Sequence, residues 1–383
     1  MRLEPDDRAR IAALVDRGVD WALVLRLARD NRVDALLQHG LADAIPGAVP
    51  ADVEASLGAY RAANLVRNQR RLALLTELGT ALERDGIPFL VFKGPVLASE
   101  FYGDLGLRFF WDLDVLVRPR DVARAGARLV ERGLRRPLAR SHREDRFLSR
   151  YHYAHAFEHP TEELEVDLHW RLFPPNFAMA IDEEGVWARA VFCPIGGVAL
   201  PTLSPEDTLL HLAVHGAKEE WRRLQMLCDV AELLRARPGA LDADAGRRRA
   251  TAQGAGRMLR LAAQLAHEGL GAPLSDQARA AIAADPVVAE LARHVWPGLE
   301  DRTRRSSVFR VTRFRRLAHE RRRDQVRYVL RTALRPRWAH VRALPVPFAL
   351  RALYVPLRLV HDACVLPFWR LVRPAARTGG PAA

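Results

Sequence analysis

Two aspartates, Asp112 and Asp114, stand in the run Asp112-Leu113-Asp114-Val115-Leu116-Val117. Alternation of acid and apolar residues is the pattern of a half-buried strand. Both carboxylates then project from one face, and Leu113, Val115 and Val117 from the other. On a strand their Cα atoms lie about 6–7 Å apart. Such a pair suits two divalent cations about 3.5–4 Å apart, the arrangement of in-line phosphoryl and nucleotidyl transfer. Magnesium takes oxygen ligands and keeps part of its coordination for substrate phosphates. A two-metal site needs a third carboxylate from a neighbouring strand. Glu165-Val166-Asp167-Leu168-His169 offers one, with Glu165, Asp167 and His169 on one face. Asp167 is expected to fill that role, against the simpler possibility that these acids face solvent.

Other residues must position and balance these acids. Ile87–Phe92 is a short apolar run between Gly86 and Lys93-Gly94, and reads as a buried strand. Pro95 then opens a helix over 95–104, so the backbone N–H of Gly94 and the cation Lys93 stand where phosphates bind. Upstream, helices are predicted over 6–45 and from Ala51 to Asp85, the second capped by Gly86. Downstream, residues 121–133 read as a helix. The segments 151–160 and 163–170 read as a hairpin, and Gly196-Gly197 marks another. Ser204-Pro205-Glu206-Asp207 starts a helical region, with Ser as cap and acids in the first turn. If one helix continued from there, His211, His215, Lys218, Arg222 and Asp229 would fall within about 40° of one face. His152, His155 and His159 have tempting spacing, but 152 and 155 point to opposite strand faces, which argues against zinc.

The stretch FKGPVLASEFYGDLGLRFFWDLDVLV resembles the signature of an uncharacterised nucleotidyltransferase family in the DNA polymerase β-type superfamily. The matching positions are Lys93, Gly94, Tyr102, Arg108, Asp112, Asp114, Leu116 and Val117. Val166–Trp170 resembles the strand that carries the third carboxylate, and the helical block after Leu203 places His215 and Asp229. The resemblance implies an α+β fold: a small mixed sheet with helices, flanked by N- and C-terminal helical regions. It implies NTP as substrate and two Mg²⁺ ions, for which Mn²⁺ can substitute, on Asp112, Asp114 and Asp167. Nucleotide contacts fall to Lys93, Gly94, Arg108 and His215. The acceptor is open: a small molecule, a peptide or a glycan precursor. One departure stands out. Where the superfamily usually follows the glycine with Ser or a second Gly, this chain has Pro95, with neither hydroxyl nor N–H. Lys93 and Arg108 are the nearest substitutes for that lost phosphate grip. The same departure leaves open a non-catalytic binding module, and a phosphotransferase would use the same metals.

Composition limits the partners. The 383 residues carry 59 basic and 46 acidic side chains, and only Lys93 and Lys218 among the basic ones are lysine. Residues 301–383 hold 20 arginines against four acids, whereas residues 1–300 hold 39 basic and 42 acidic residues. The body is near neutral, so a nucleic-acid surface over the whole protein is not expected. The tail fits an anionic membrane surface, an RNA or acidic partner, or a helix docked on the body, with Phe348–Val372 as its apolar part. Three dispersed cysteines exclude a zinc ribbon or a disulfide framework. Without an apolar leader pattern or a run of 18 apolar residues, a cytoplasmic location is expected, peripheral at a membrane if the tail binds one. The expected organisation is a helical region (1–85), an α/β core (86–200), a helical substrate-side domain (201–300) and the basic tail (301–383).

Overall fold

A computed structural model of the chain describes residues 5–136, 151–240, 244–301 and 307–335, and singly 350, 353, 354 and 356. Four helices come first: α1 (Pro5–Asp16), α2 (Trp21–Asn31), α3 (Asp34–Ala44) and α4 (Ala51–Arg84). Gly86, at φ +64°, turns the chain out of α4. The strands follow: β1 (Phe89–Phe92), β2 (Asp112–Val117), β3 (Ala154–Glu158), β4 (Glu165–His169), β5 (Val191–Ile195) and β6 (Val198–Thr202). They form one six-stranded mixed sheet in the order β3-β4-β2-β1-β6-β5. β2 runs parallel to β4 and β1 parallel to β6; the other neighbours are antiparallel.

The sheet has two unlike faces because its central strands alternate. Leu113, Val115 and Val117 of β2 join Val166 and Leu168 of β4 in a core closed by Leu75, Leu78 and Leu82 of α4 and by Ala125 and Leu129 of α6 (Val122–Glu131). The opposite face presents Asp112 and Asp114 and, on β4, Glu165, Asp167 and His169. Leu90, Phe92 and Leu116 belong to the second core, which unites that face with the C-terminal helices.

Between β1 and β2 the chain makes a short helix, α5 (Gly94–Leu97), that widens into a π-helical turn, Ala98–Tyr102. After the short helix α7 (Glu183–Ala188) and the β5–β6 hairpin come α8 (Pro205–Glu219), α9 (Leu224–Ala236), α10 (Asp244–Gln253), α11 (Gly256–Leu270), α12 (Asp276–Ala283) and α13 (Pro286–Glu300). The Ser204 hydroxyl caps α8 by accepting from the Asp207 N–H.

One expectation fails here. α8 does not run on to Asp229. It ends in two left-handed residues, Glu220 (φ +58°) and Trp221 (φ +54°), and α9 starts afresh at Leu224. Trp221 is fully buried against Gly216, where a Cβ would lie 2.4 Å from the indole ring. Gly216 therefore admits this ring, and the helix runs through it to Glu219. The described part of the tail, α14 (Val308–Ala318) and α15 (Arg322–Leu334), packs on the body through Phe314, Ala318 and Tyr328. The segment Phe348–Val372 falls almost wholly outside the described residues. Among the described residues no helix is long and apolar enough to cross a membrane.

Candidate active site

The site is built where β2 lies beside β4. Parallel pairing puts Asp112 opposite Glu165 and Asp114 opposite Asp167. Because residues i and i+2 share a face, the four carboxylates form a two-by-two array on the face turned away from α4. Asp114 is buried and the other three are half-buried. Asp114, Asp167 and His169 each offer a ligand atom, all within 4.8 Å of one another.

Asp114 is the best-balanced member. Lys93 Nζ lies 2.6 Å from its Oδ1 and His169 Nε2 lies 3.0 Å from the same oxygen. Burial alone would raise its pKa, but Lys93 and then His169 outweigh burial and hold the carboxyl far below the usual range. Lys93 shows the reciprocal effect: burial opposes its charge, and Asp114 followed by Asp112 keep it above the ordinary lysine value. The remaining acids are less well compensated. Burial and then Asp114 push Asp112 up. Burial also raises Asp167, with Asp114 and Asp112 adding and His169 opposing. Glu165 is pushed up to about 7 by burial, Asp167 and Asp112, although the Trp111 indole N–H donates to it at 2.9 Å. Burial, with neighbouring carboxylates adding, presses these groups toward neutrality, and such a wall could hold a cation.

The turn after β1 brings Lys93 to this wall. Lys93 is a non-glycine residue at φ +56°, ψ −126°, a conformation that persists only where surrounding packing enforces it. Gly94 follows in tight quarters: a Cβ there would lie 3.2 Å from the Phe110 ring and 3.4 Å from the Asp112 carbonyl oxygen.

α4 fixes the other approach, the loop 103–111. Arg61 reaches Asp104 at 2.6 Å. Asn64 Nδ2 donates to the Gly106 carbonyl, and Asn68 Nδ2 to those of Leu105 and Arg108. Arg71 donates to the Trp111 and Glu163 carbonyls. Positions 61, 64, 68 and 71 form one helical stripe. That polar stripe beside the leucines of α4 is the sequence signal, and nothing in the motif around Asp112 pointed to it.

Arg108 lies within the site but its fork is spent on Asp229, at 2.7 and 2.8 Å, with the Tyr102 hydroxyl donating to the same carboxylate at 2.9 Å. This buried trio ties α9 and the π turn to the loop, and Gln225 adds a donor to the Phe109 carbonyl. His215 is on α8 and lines the cleft with Lys93, Gly94, Arg108, Asp112 and Asp114. Burial, then Lys93 and Lys218, push its pKa well down, so it faces the acids as a neutral imidazole. His211, one turn earlier, is buried between Phe92 and Phe173. The cleft has a volume of about 310 Å³. A larger hollow of about 750 Å³ beside Phe173–Ile181 contains none of the four carboxylates. The cleft thus unites Asp112, Asp114, Lys93, Gly94 and His215; Asp167 stands beside Asp114 and His169 but is not among the residues lining the cleft, and Arg108 has a carboxylate partner of its own. His152, His155 and His159 form no metal-ligand cluster among the described residues.

The mixed six-stranded sheet, its acidic face and the helices around it make a mixed α/β fold with an acid-lined cleft. Residues 17–271 match the family model described as "Uncharacterised nucleotidyltransferase", about two thirds of the chain, and the protein belongs to that family. Among solved structures, the antibiotic-resistance factor ANT(2'')-Ia is similar at 14% identity and a TM-score of 0.33, over 48% of this chain and 91% of that one. None of the curated proteins matches the chain.

Proposed function

We propose that this protein moves a nucleoside monophosphate from an NTP to an acceptor hydroxyl, phosphate or similar group, with divalent metal ions held by Asp112, Asp114 and Asp167. The observation that carries this reading is the β2–β4 register, which sets Asp114 beside Asp167 and Asp112 beside Glu165 in a chain of the nucleotidyltransferase family. The donor set fits the metal: carboxylate oxygens dominate it, as Mg²⁺ requires, and the His169 nitrogen nearby makes Mn²⁺ an equally suitable ion. Bound there, two such ions would draw negative charge off the phosphoryl group and activate the attacking oxygen.

The chain's own residues supply the rest. Asp167, raised in pKa and at the edge of the array, positions the acceptor oxygen and draws on its proton. Lys93 balances Asp114 at rest and turns its ammonium to the phosphates once that carboxylate is otherwise neutralised. The Gly94 backbone lets the triphosphate come close to the turn, because no Cβ intervenes. Neutral His215 offers a hydrogen bond without adding charge. Arg108, forked onto Asp229, holds the loop that carries Phe109–Asp112 and contributes its field more than a direct contact.

Product analysis tests the reading. The protein is incubated with Mg²⁺, the four NTPs and a panel of acceptors, beside Asp112→Asn. Pyrophosphate from the wild type alone supports nucleotidyl transfer, and NDP in its place means a phosphotransferase. If neither product exceeds the variant, what remains is a non-catalytic binding module, the reading favoured by the Lys93–Asp114 ion pair and by Pro95.

A further inference from the structure

Fifty-seven of the 59 basic residues are arginine, yet both lysines of the chain sit at one place. Lys93 Nζ contacts Asp114. Lys218, near the end of α8, donates to the Tyr153 hydroxyl at 3.0 Å. The Tyr153 ring packs against His169, centroids 5.4 Å apart, and His169 in turn contacts Asp114. On α8, His215 and Glu219 line the cleft, and Lys218 lies about 60° around the helix from His215, on the side of Tyr153 and His169. A compact ammonium with three rotatable donors meets a polyphosphate as a point charge, which a rigid guanidinium fork does not replace one for one.

An NTP brings several negative charges, and the cations first expected to meet them are engaged: Arg108 with Asp229, and Lys93 with Asp114. Lys218 is held more lightly. Its side chain is 21% exposed, its partners are a neutral phenol and Glu219 at 3.3 Å, and Glu219 is also paired with Arg222. The pair is half-buried, but Glu219 keeps Arg222 when Lys218 leaves, so no carboxylate is stranded. The base of Lys218 is nonetheless fixed, because Trp221 locks onto Gly216 and ends α8 just beyond it.

We propose that Lys218 is a polyphosphate-binding residue: its ammonium leaves the Tyr153–Glu219 rest position and closes on the outer phosphates of the NTP opposite Lys93. This rests on the NTP reading above and adds to it the group that replaces the grip lost at Pro95.

Calorimetry on the full chain with Mg²⁺ tests it, using non-hydrolysable NTP analogues, inorganic tripolyphosphate and NMP as probes. Lys218→Met is expected to weaken the NTP analogues and tripolyphosphate about tenfold or more, the worth of one charge-assisted hydrogen bond, and to leave NMP unchanged. Lys218→Arg, which keeps the charge, falls less. Tyr153→Phe removes only the phenol hydroxyl of the rest position and keeps tripolyphosphate binding. Should the methionine variant not fold, Lys218→Gln gives the same reading. Wild-type binding that is unchanged in Lys218→Met overturns the assignment alone. So does an equal loss of NMP, or a loss in Tyr153→Phe as large as that in Lys218→Met. A wild type that binds neither NTP analogue nor tripolyphosphate overturns the NTP reading and this assignment with it.

Discussion

Asp114→Asn and Asp167→Asn each remove one negative charge from the same acidic wall, yet they are expected to move stability in opposite directions. Asp114 is the carboxylate that pays for Lys93: the pair is 2.6 Å apart, with side-chain exposures of 16% and 2% for Lys93 and Asp114. Removing one member of a buried ion pair typically costs about 3–5 kcal/mol, because the other charge stays buried without its partner. Asp112 remains to offset part of the Lys93 charge, so the lower end, about 3 kcal/mol, is expected, a large share of a typical total of about 5–15 kcal/mol. His169 loses its carboxylate in the same change. Asp167 is the reverse case. Its pKa is raised by burial and by its acidic neighbours, so its charge is a burden in the metal-free protein. An uncharged isostere there should stabilise by about 1 kcal/mol, as relief of functional strain commonly does. Equilibrium denaturation in EDTA at pH 7.5 measures both. The Asp114 effect should hold from pH 5 to 9: a depressed carboxylate contributes above its ordinary pKa and fades only in strong acid, and Lys93 stays charged throughout. Shifts of the same sign in the two variants, or a neutral Asp114→Asn, would refute the charge balance described for this wall.

Four further outcomes follow from the same geometry. Glu165, with its pKa raised from 4.5 to about 7, contributes fully below its ordinary value and loses that contribution as pH rises from there through 7, so Glu165→Gln should melt above wild type at pH 8.5 and level with it only below pH 4.5. Asp229→Asn strands the Arg108 guanidinium and should cost about 3–5 kcal/mol in denaturant unfolding, with weaker NTP binding as the loop 103–111 loosens. Gly216→Ala drives a methyl into Trp221 and should cost about 1–3 kcal/mol, with a shift in tryptophan emission. His169→Gln should weaken Mn²⁺ binding more than Mg²⁺ binding, read by metal titration in the absence of NTP, since imidazole nitrogen favours the transition metal.

Much of the fold was legible because its signals are local. Acid–apolar alternation in 112–117 predicted which face of β2 carries the aspartates, and the Ser204 cap and Gly86 stop are short-range rules that tertiary packing did not override. What escaped prediction depends on contacts distant in sequence. No motif announces that Lys93 would be spent on Asp114 or Arg108 on Asp229, because those pairings follow from strand order and from where α9 docks. The helical wheel through Asp229 failed because Glu220 and Trp221 adopt left-handed conformations without glycine's permissive backbone, enforced by burial of the Trp221 ring. The stripe of α4 that holds the loop 103–111 was visible as spacing but not as purpose, since its partners are backbone carbonyls, which every sequence has.

On the proposed function, the carboxylates of β2 and β4 hold divalent cations against an NTP. Counting Mn²⁺ bound per chain by electron paramagnetic resonance, with a non-hydrolysable NTP at saturation, tests this. Two ions are predicted in the wild type, with marked loss in Asp112→Asn and in Asp167→Asn. Binding of the nucleotide without any Mn²⁺ beyond that carried by free NTP, or an undiminished count in both variants, would contradict it.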